Sequence, residues 1–70
     1  MTETFLRIRD VQQATGLGRS TIYRLIESKQ FPAPITVLAP RSVAWLESEV
    51  RTWQQERIAE SRGRAETAVA

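Results

Sequence analysis

Neither cysteine nor histidine occurs among the 70 residues. Disulfide staples, thiolate nucleophiles, imidazole acid-base catalysis and zinc held by its usual ligands are thereby excluded. Long apolar runs are missing too, and none approaches the roughly 20 residues that a membrane-spanning helix needs. Residues 1–6 (MTETFL) lack the basic flank and apolar core of a signal peptide. The expectation is a protein of the cytoplasm, without membrane, cofactor or metal. Acidic residues are scarce in one stretch. From Arg7 to Arg41 there are only Asp10 and Glu27, against the six cations Arg7, Arg9, Arg19, Arg24, Lys29 and Arg41, whereas the formal charge of the whole chain is only +2. Charge this unevenly placed predicts one basic face, suited to a polyanion.

What is present fits one small domain, whose core must come from a few large side chains. Residues 10–15 are read as a short helix. Gly16 stops it, because glycine enters the left-handed conformation at little steric cost. Gly18 or Arg19 opens a second helix running to about Ser28 or Lys29. Its apolar residues Ile22, Leu25 and Ile26 fall at i, i+3 and i+4 and form one stripe. At 100° per residue, Ser20, Tyr23, Arg24 and Glu27 lie on the opposite side.

Pro32 and Pro34 cannot continue a helix, so the chain leaves it extended. Residues 35–38 (ITVL) and 42–45 (SVAW) have strand-forming composition, and Ala39-Pro40-Arg41 is short enough to join them as a hairpin. From Leu46 the spacing of Leu46, Val50 and Trp53 predicts a third helix to about Ile58, with Glu47 and Glu49 in the first turn, where the helix dipole favours acids. Residues 59–70 show no apolar stripe and contain Gly63, which predicts a flexible tail. Residues 5–58 are then the folded domain. The segment Phe5-Leu6-Arg7-Ile8 alternates too briefly to be assigned as a strand.

Helix, glycine turn and helix can present the second helix to a DNA major groove. An inert surface helix would more often carry mixed Glu and Lys pairs. Here Arg19, Ser20, Thr21, Tyr23 and Arg24 gather instead in its first half. Arginine forks onto guanine or phosphate, hydroxyls bond phosphate or base edges, and tyrosine bonds phosphate or packs on sugar. Arg41, at the hairpin tip, is a further candidate for the backbone; the competing reading is a solvated turn residue. Arg7 and Lys29 are weaker candidates of the same kind. Trp45 and Trp53 could stack on single-stranded bases, but their positions favour the core, as do those of Phe5 and Phe31. Glu47 and Glu49, a close carboxylate pair without a nucleophile or base beside them, read as helix-start charges. No enzyme is expected.

These motifs together resemble the AlpA family of small phage and prophage regulators. The resemblance is carried by LRIRDV at residues 6–11, GLGRSTIYRLIESKQFPAP at 16–34 and RSVAWLESEVRTWQQERI at 41–58. It implies a mainly α winged helix-turn-helix, three helices plus a two-stranded wing, of the kind shared with excisionases and MerR-like heads. The implied function is a sequence-specific double-stranded DNA-binding transcriptional regulator. Its recognition helix would be residues 19–28, with Arg19, Ser20, Thr21, Tyr23 and Arg24 facing DNA, and its wing would lie at residues 39–41. Implied partners are duplex DNA in the nucleoid, further copies of the chain on DNA, and a recombinase or RNA polymerase. Two other jobs remain open: an excisionase-like architectural factor that bends DNA for a recombinase, and a protein-interaction module that has lost DNA binding.

Overall fold

A computed structural model describes residues 2–38 and 40–69, with side chains as far as Arg64. The elements follow the order β1 (Phe5–Leu6), α1 (Ile8–Thr15), α2 (Arg19–Glu27), β2 (Ile35–Thr36), β3 (Val43–Leu46) and α3 (Glu47–Val69). They form a mainly α winged helix-turn-helix.

α1 begins two residues earlier than the sequence pattern predicts. Arg7 is extended, and its backbone N–H donates to Asp10 Oδ2 at 3.0 Å, so Asp10 caps the helix from inside its first turn. The end is as expected: Gly16 is left-handed at φ 73°, and its N–H donates to the Gln12 carbonyl at 2.8 Å. Thr15 bridges the bend, its hydroxyl donating to the Val11 carbonyl at 2.7 Å and accepting the Leu17 N–H at 3.2 Å. Leu17 is thereby drawn against the core.

α2 starts at the N-cap Gly18, which offers no side-chain acceptor. It ends in a Schellman turn: Lys29 N–H donates to the Ile26 carbonyl at 3.0 Å and Gln30 N–H to the Leu25 carbonyl at 2.8 Å. Lys29 holds the left-handed position, φ 62°, where glycine is usual. Two indoles then grip the exit. Trp53 Nε1 donates to the Gln30 carbonyl at 2.8 Å, and Trp45 Nε1 to the Pro32 carbonyl at 3.0 Å.

The expected two-stranded wing is part of a three-stranded antiparallel sheet of order β1-β3-β2. Phe5 pairs with Leu46 and Leu6 with Trp45 on one side of β3, while Ile35 pairs with Ala44 and Thr36 with Val43 on the other. Two residues carry no legible periodicity, so β1 exists because β3 offers it a free edge. β2 is two residues shorter than the composition predicts, whereas β3 keeps four residues one position later and takes in Leu46, which the spacing assigns to the third helix. Val37 N–H still donates to the Ser42 carbonyl at 2.7 Å, which leaves Leu38 to Arg41 as the tip, and within it Ala39 lies outside the described residues.

The core comprises Val11, Ile22, Phe31, Trp45 and Val50, with Leu6, Ile8, Leu17, Leu25, Ile26 and Trp53 packed around it. Phe31 and Trp53 meet edge to face at 4.8 Å. Trp45 is fully buried. Phe5, expected in the core, is half exposed instead, since β1 lies at the sheet edge and only Leu6 turns inward.

α3 also differs from expectation, running on as helix to Val69 past the predicted end at Ile58. Residues 59–69 are therefore helical rather than irregular, and Ala70 lies outside the described residues. Backbone propensity explains this: Ala, Glu and Arg are strong helix formers, Glu60 is paired with both Arg57 (2.8 Å) and Arg64, and a single interior glycine costs only about 1 kcal/mol.

Candidate nucleic-acid interface

Burying Ile22 fixes the rotation of α2 about its axis. Arg19, Ser20, Tyr23 and Arg24 consequently face solvent, together with Glu27. Thr21 departs from this group, being half-buried on the opposite flank of the helix. The candidate face is thus narrower than the sequence pattern alone indicates.

Its centre packs against the core. The Tyr23 ring meets the fully buried Trp45 edge to face, with centroids 6.2 Å apart and planes at 63°. The Arg19 guanidinium lies over the other part of the site, 5.8 Å from the Tyr23 ring centroid, within range of a cation-π contact. Tyr23 therefore joins an exposed arginine to the centre of the fold.

The charges of this half of the molecule are not spent internally. Among the described residues, the ion pairs are Arg51–Glu47, Arg57–Glu60 and Arg64–Glu60, all within α3. Arg9, Arg19, Arg24, Lys29 and Arg41 take part in none of them. Arg7 has a structural task, its guanidinium donating to the Val43 carbonyl at 2.8 Å and so tying the start of α1 to the base of the hairpin. Arg41 is exposed at the hairpin tip. Gln54 Nε2 donates to the Ala14 carbonyl at 2.8 Å, which holds α3 against the end of α1.

Leu38 departs from the strand that its composition predicts. It is 79 % exposed at the hairpin tip, beyond the end of β2 at Thr36. An open groove of about 880 Å³ between α3 and the exit from α2 is lined by Phe31, Pro32 and Trp53, with Lys29, Glu49 and Glu56 among its charged residues. It includes no residue of the exposed α2 face. Among the described residues there is no cluster of three potential metal-binding side chains, and no helix is long and apolar enough to cross a membrane.

The geometry defines a winged helix-turn-helix whose second helix offers a basic, hydroxyl-bearing face braced from behind. The chain belongs to the family described as Prophage CP4-57 regulatory protein (AlpA), whose model matches residues 4–58. It is 49 % identical over 57 residues to a protein of Enterobacteria phage P4 described as "Uncharacterized protein ORF88", covering 81 % of this chain and 64 % of that relative. The chain thus spans slightly less than two thirds of that relative's length. No solved structure matches it.

Proposed function

We propose that this member of a prophage regulatory family is a sequence-specific double-stranded DNA-binding transcriptional regulator, with α2 entering the major groove. The observation that carries the reading is the exposed face of Arg19, Ser20, Tyr23 and Arg24, braced through Tyr23 on Trp45; Glu27 shares the face, but among the described residues neither arginine is held in an ion pair. Arg24 and Ser20 are the candidates for base edges and Arg19 and Tyr23 for phosphates, while Thr21 serves from the flank. The first turn of α2 adds backbone N–H groups that no side chain caps. Arg41 contacts the backbone beside the groove.

One module of this size makes few base contacts, so useful specificity requires several copies on adjacent sites or a partner such as RNA polymerase or a recombinase. The place of action is the nucleoid. A second reading, a protein-interaction module, draws on the open groove beside Phe31 and Trp53.

The test is selection from a randomised duplex pool at two salt concentrations, followed by sequencing of what is retained. An enriched motif that survives higher salt supports base recognition, because phosphate attraction falls steeply with salt. Retention without enrichment removes sequence specificity, and no retention at either salt leaves the interaction-module reading.

A further inference from the structure

Three acids precede Glu47 in the chain. Two have visible tasks: Glu3 accepts from the Ser48 hydroxyl at 3.1 Å, and Asp10 accepts from the Arg7 N–H at the start of α1. Glu27 has none. Among the described residues its carboxylate enters no ion pair and no hydrogen bond, although Arg24 stands three residues before it, within reach on one helix face. Two physical arguments oppose an acid here. Glu27 is the last residue of α2, where the helix dipole disfavours negative charge. It is also exposed on the face that carries Ser20, Tyr23 and Arg24, where a carboxylate repels the phosphates that the surrounding cations attract. A residue that breaks two local rules without structural compensation marks a functional position.

We propose that Glu27 is a specificity-determining residue that accepts from the N4 amino group of a cytosine in the major groove. This rests on the DNA-binding reading above. At 100° per residue Glu27 falls between Ser20 and Tyr23, well away from the buried Ile22. α2 is nine residues long, about 14 Å, so a groove about 12 Å wide that it follows lengthwise admits its last turn as well as its first. Arg24 and Glu27 stand about 4.5 Å apart along the axis, near the roughly 3.4 Å between successive base pairs, so the two address neighbouring pairs. A carboxylate only accepts hydrogen bonds. Guanine and thymine oppose it with acceptors, adenine sets an acceptor beside its amino group, and cytosine offers a donor alone. The same charge weakens attachment to other sequences, so Glu27 adds discrimination while lowering general affinity.

The experiment compares the motifs that the wild type, Glu27→Ala and Glu27→Gln each enrich from a randomised duplex pool, together with retention of the unselected pool at low salt. The wild-type motif is expected to contain a column that prefers cytosine by about fivefold or more. Glu27→Ala should flatten that column and leave the others unchanged. Glu27→Gln should turn it towards adenine, whose N6 and N7 an amide meets together. Both variants should retain the unselected pool more strongly than the wild type, since one negative charge has left the face. Glu27 is exposed, so circular dichroism should show both variants folded. Stronger retention with an unchanged motif leaves only electrostatic repulsion and overturns the proposal, as does a changed column that never preferred cytosine. Absence of any wild-type motif removes the sequence-specific reading itself, and the role of Glu27 with it.

Discussion

The Tyr23 ring meets the Trp45 ring edge to face at 6.2 Å, joining the largest fully buried side chain among the described residues to the exposed side of α2. One aromatic pair therefore sets both packing and the presentation of the face. Tyr23→Phe keeps the ring contact, and its melting temperature should match that of the wild type. Tyr23→Ala loses the contact and should cost about 1 kcal/mol of stability. If the hydroxyl meets phosphate, Tyr23→Phe also weakens duplex binding in filter retention at constant salt.

Arg24 is exposed and takes no part in an ion pair among the described residues, so removing it leaves nothing buried unpaired. Arg24→Ala should change stability by less than about 0.5 kcal/mol. Its duplex affinity should fall by about 1–3 kcal/mol on a selected site if it reads a base. A uniform loss on all sequences, with a shallower salt dependence, would move Arg24 to the phosphate backbone.

Trp45→Phe tests what the indole N–H contributes. The smaller ring leaves a cavity, and the Pro32 carbonyl loses its donor, so destabilisation of about 2–4 kcal/mol is expected in urea titration. For a domain of this length that is a large part of the total, which is about 4–10 kcal/mol. Strand pairing alone would not hold the Phe31-Pro32 exit in place.

Lys29 occupies a left-handed position without being glycine. Lys29→Gly removes the steric cost and should stabilise the chain by about 0.5–1 kcal/mol, raising the melting temperature by several degrees. Weaker duplex binding in the same variant would show what the strained lysine contributes in return.

A chain ending at Ile58 loses only the part of α3 whose described side chains, residues 59–64, are all exposed. It should unfold within about 0.5 kcal/mol of the full chain, and the helical signal in circular dichroism should drop by about the missing residues.

Local chemistry made much of this readable. The glycine stop at Gly16, the opening at Gly18 and the stripe of Ile22, Leu25 and Ile26 are signals carried within a few residues, and the helix-turn-helix follows them. The stripe of Val50 and Trp53 likewise placed the inner face of α3. β1 was not readable, because two residues show no period and the strand owes its existence to a partner forty residues away. The length of α3 was not readable either, because its apolar stripe ends near Ile58, whereas the Arg57–Glu60–Arg64 pairs and good propensity extend the helix without one.

The candidate face divides along the same line. That arginine, serine and tyrosine cluster in the first half of α2 is a property of the sequence, and so is the scarcity of acids around them. Only the tertiary structure turned Thr21 to the flank, set Tyr23 against Trp45, diverted Arg7 to the Val43 carbonyl and left Leu38 in solvent. Periodicity places a side chain on a helix face, but exposure and partners depend on which distant elements pack against that face, and those contacts form only when the sheet closes over the core.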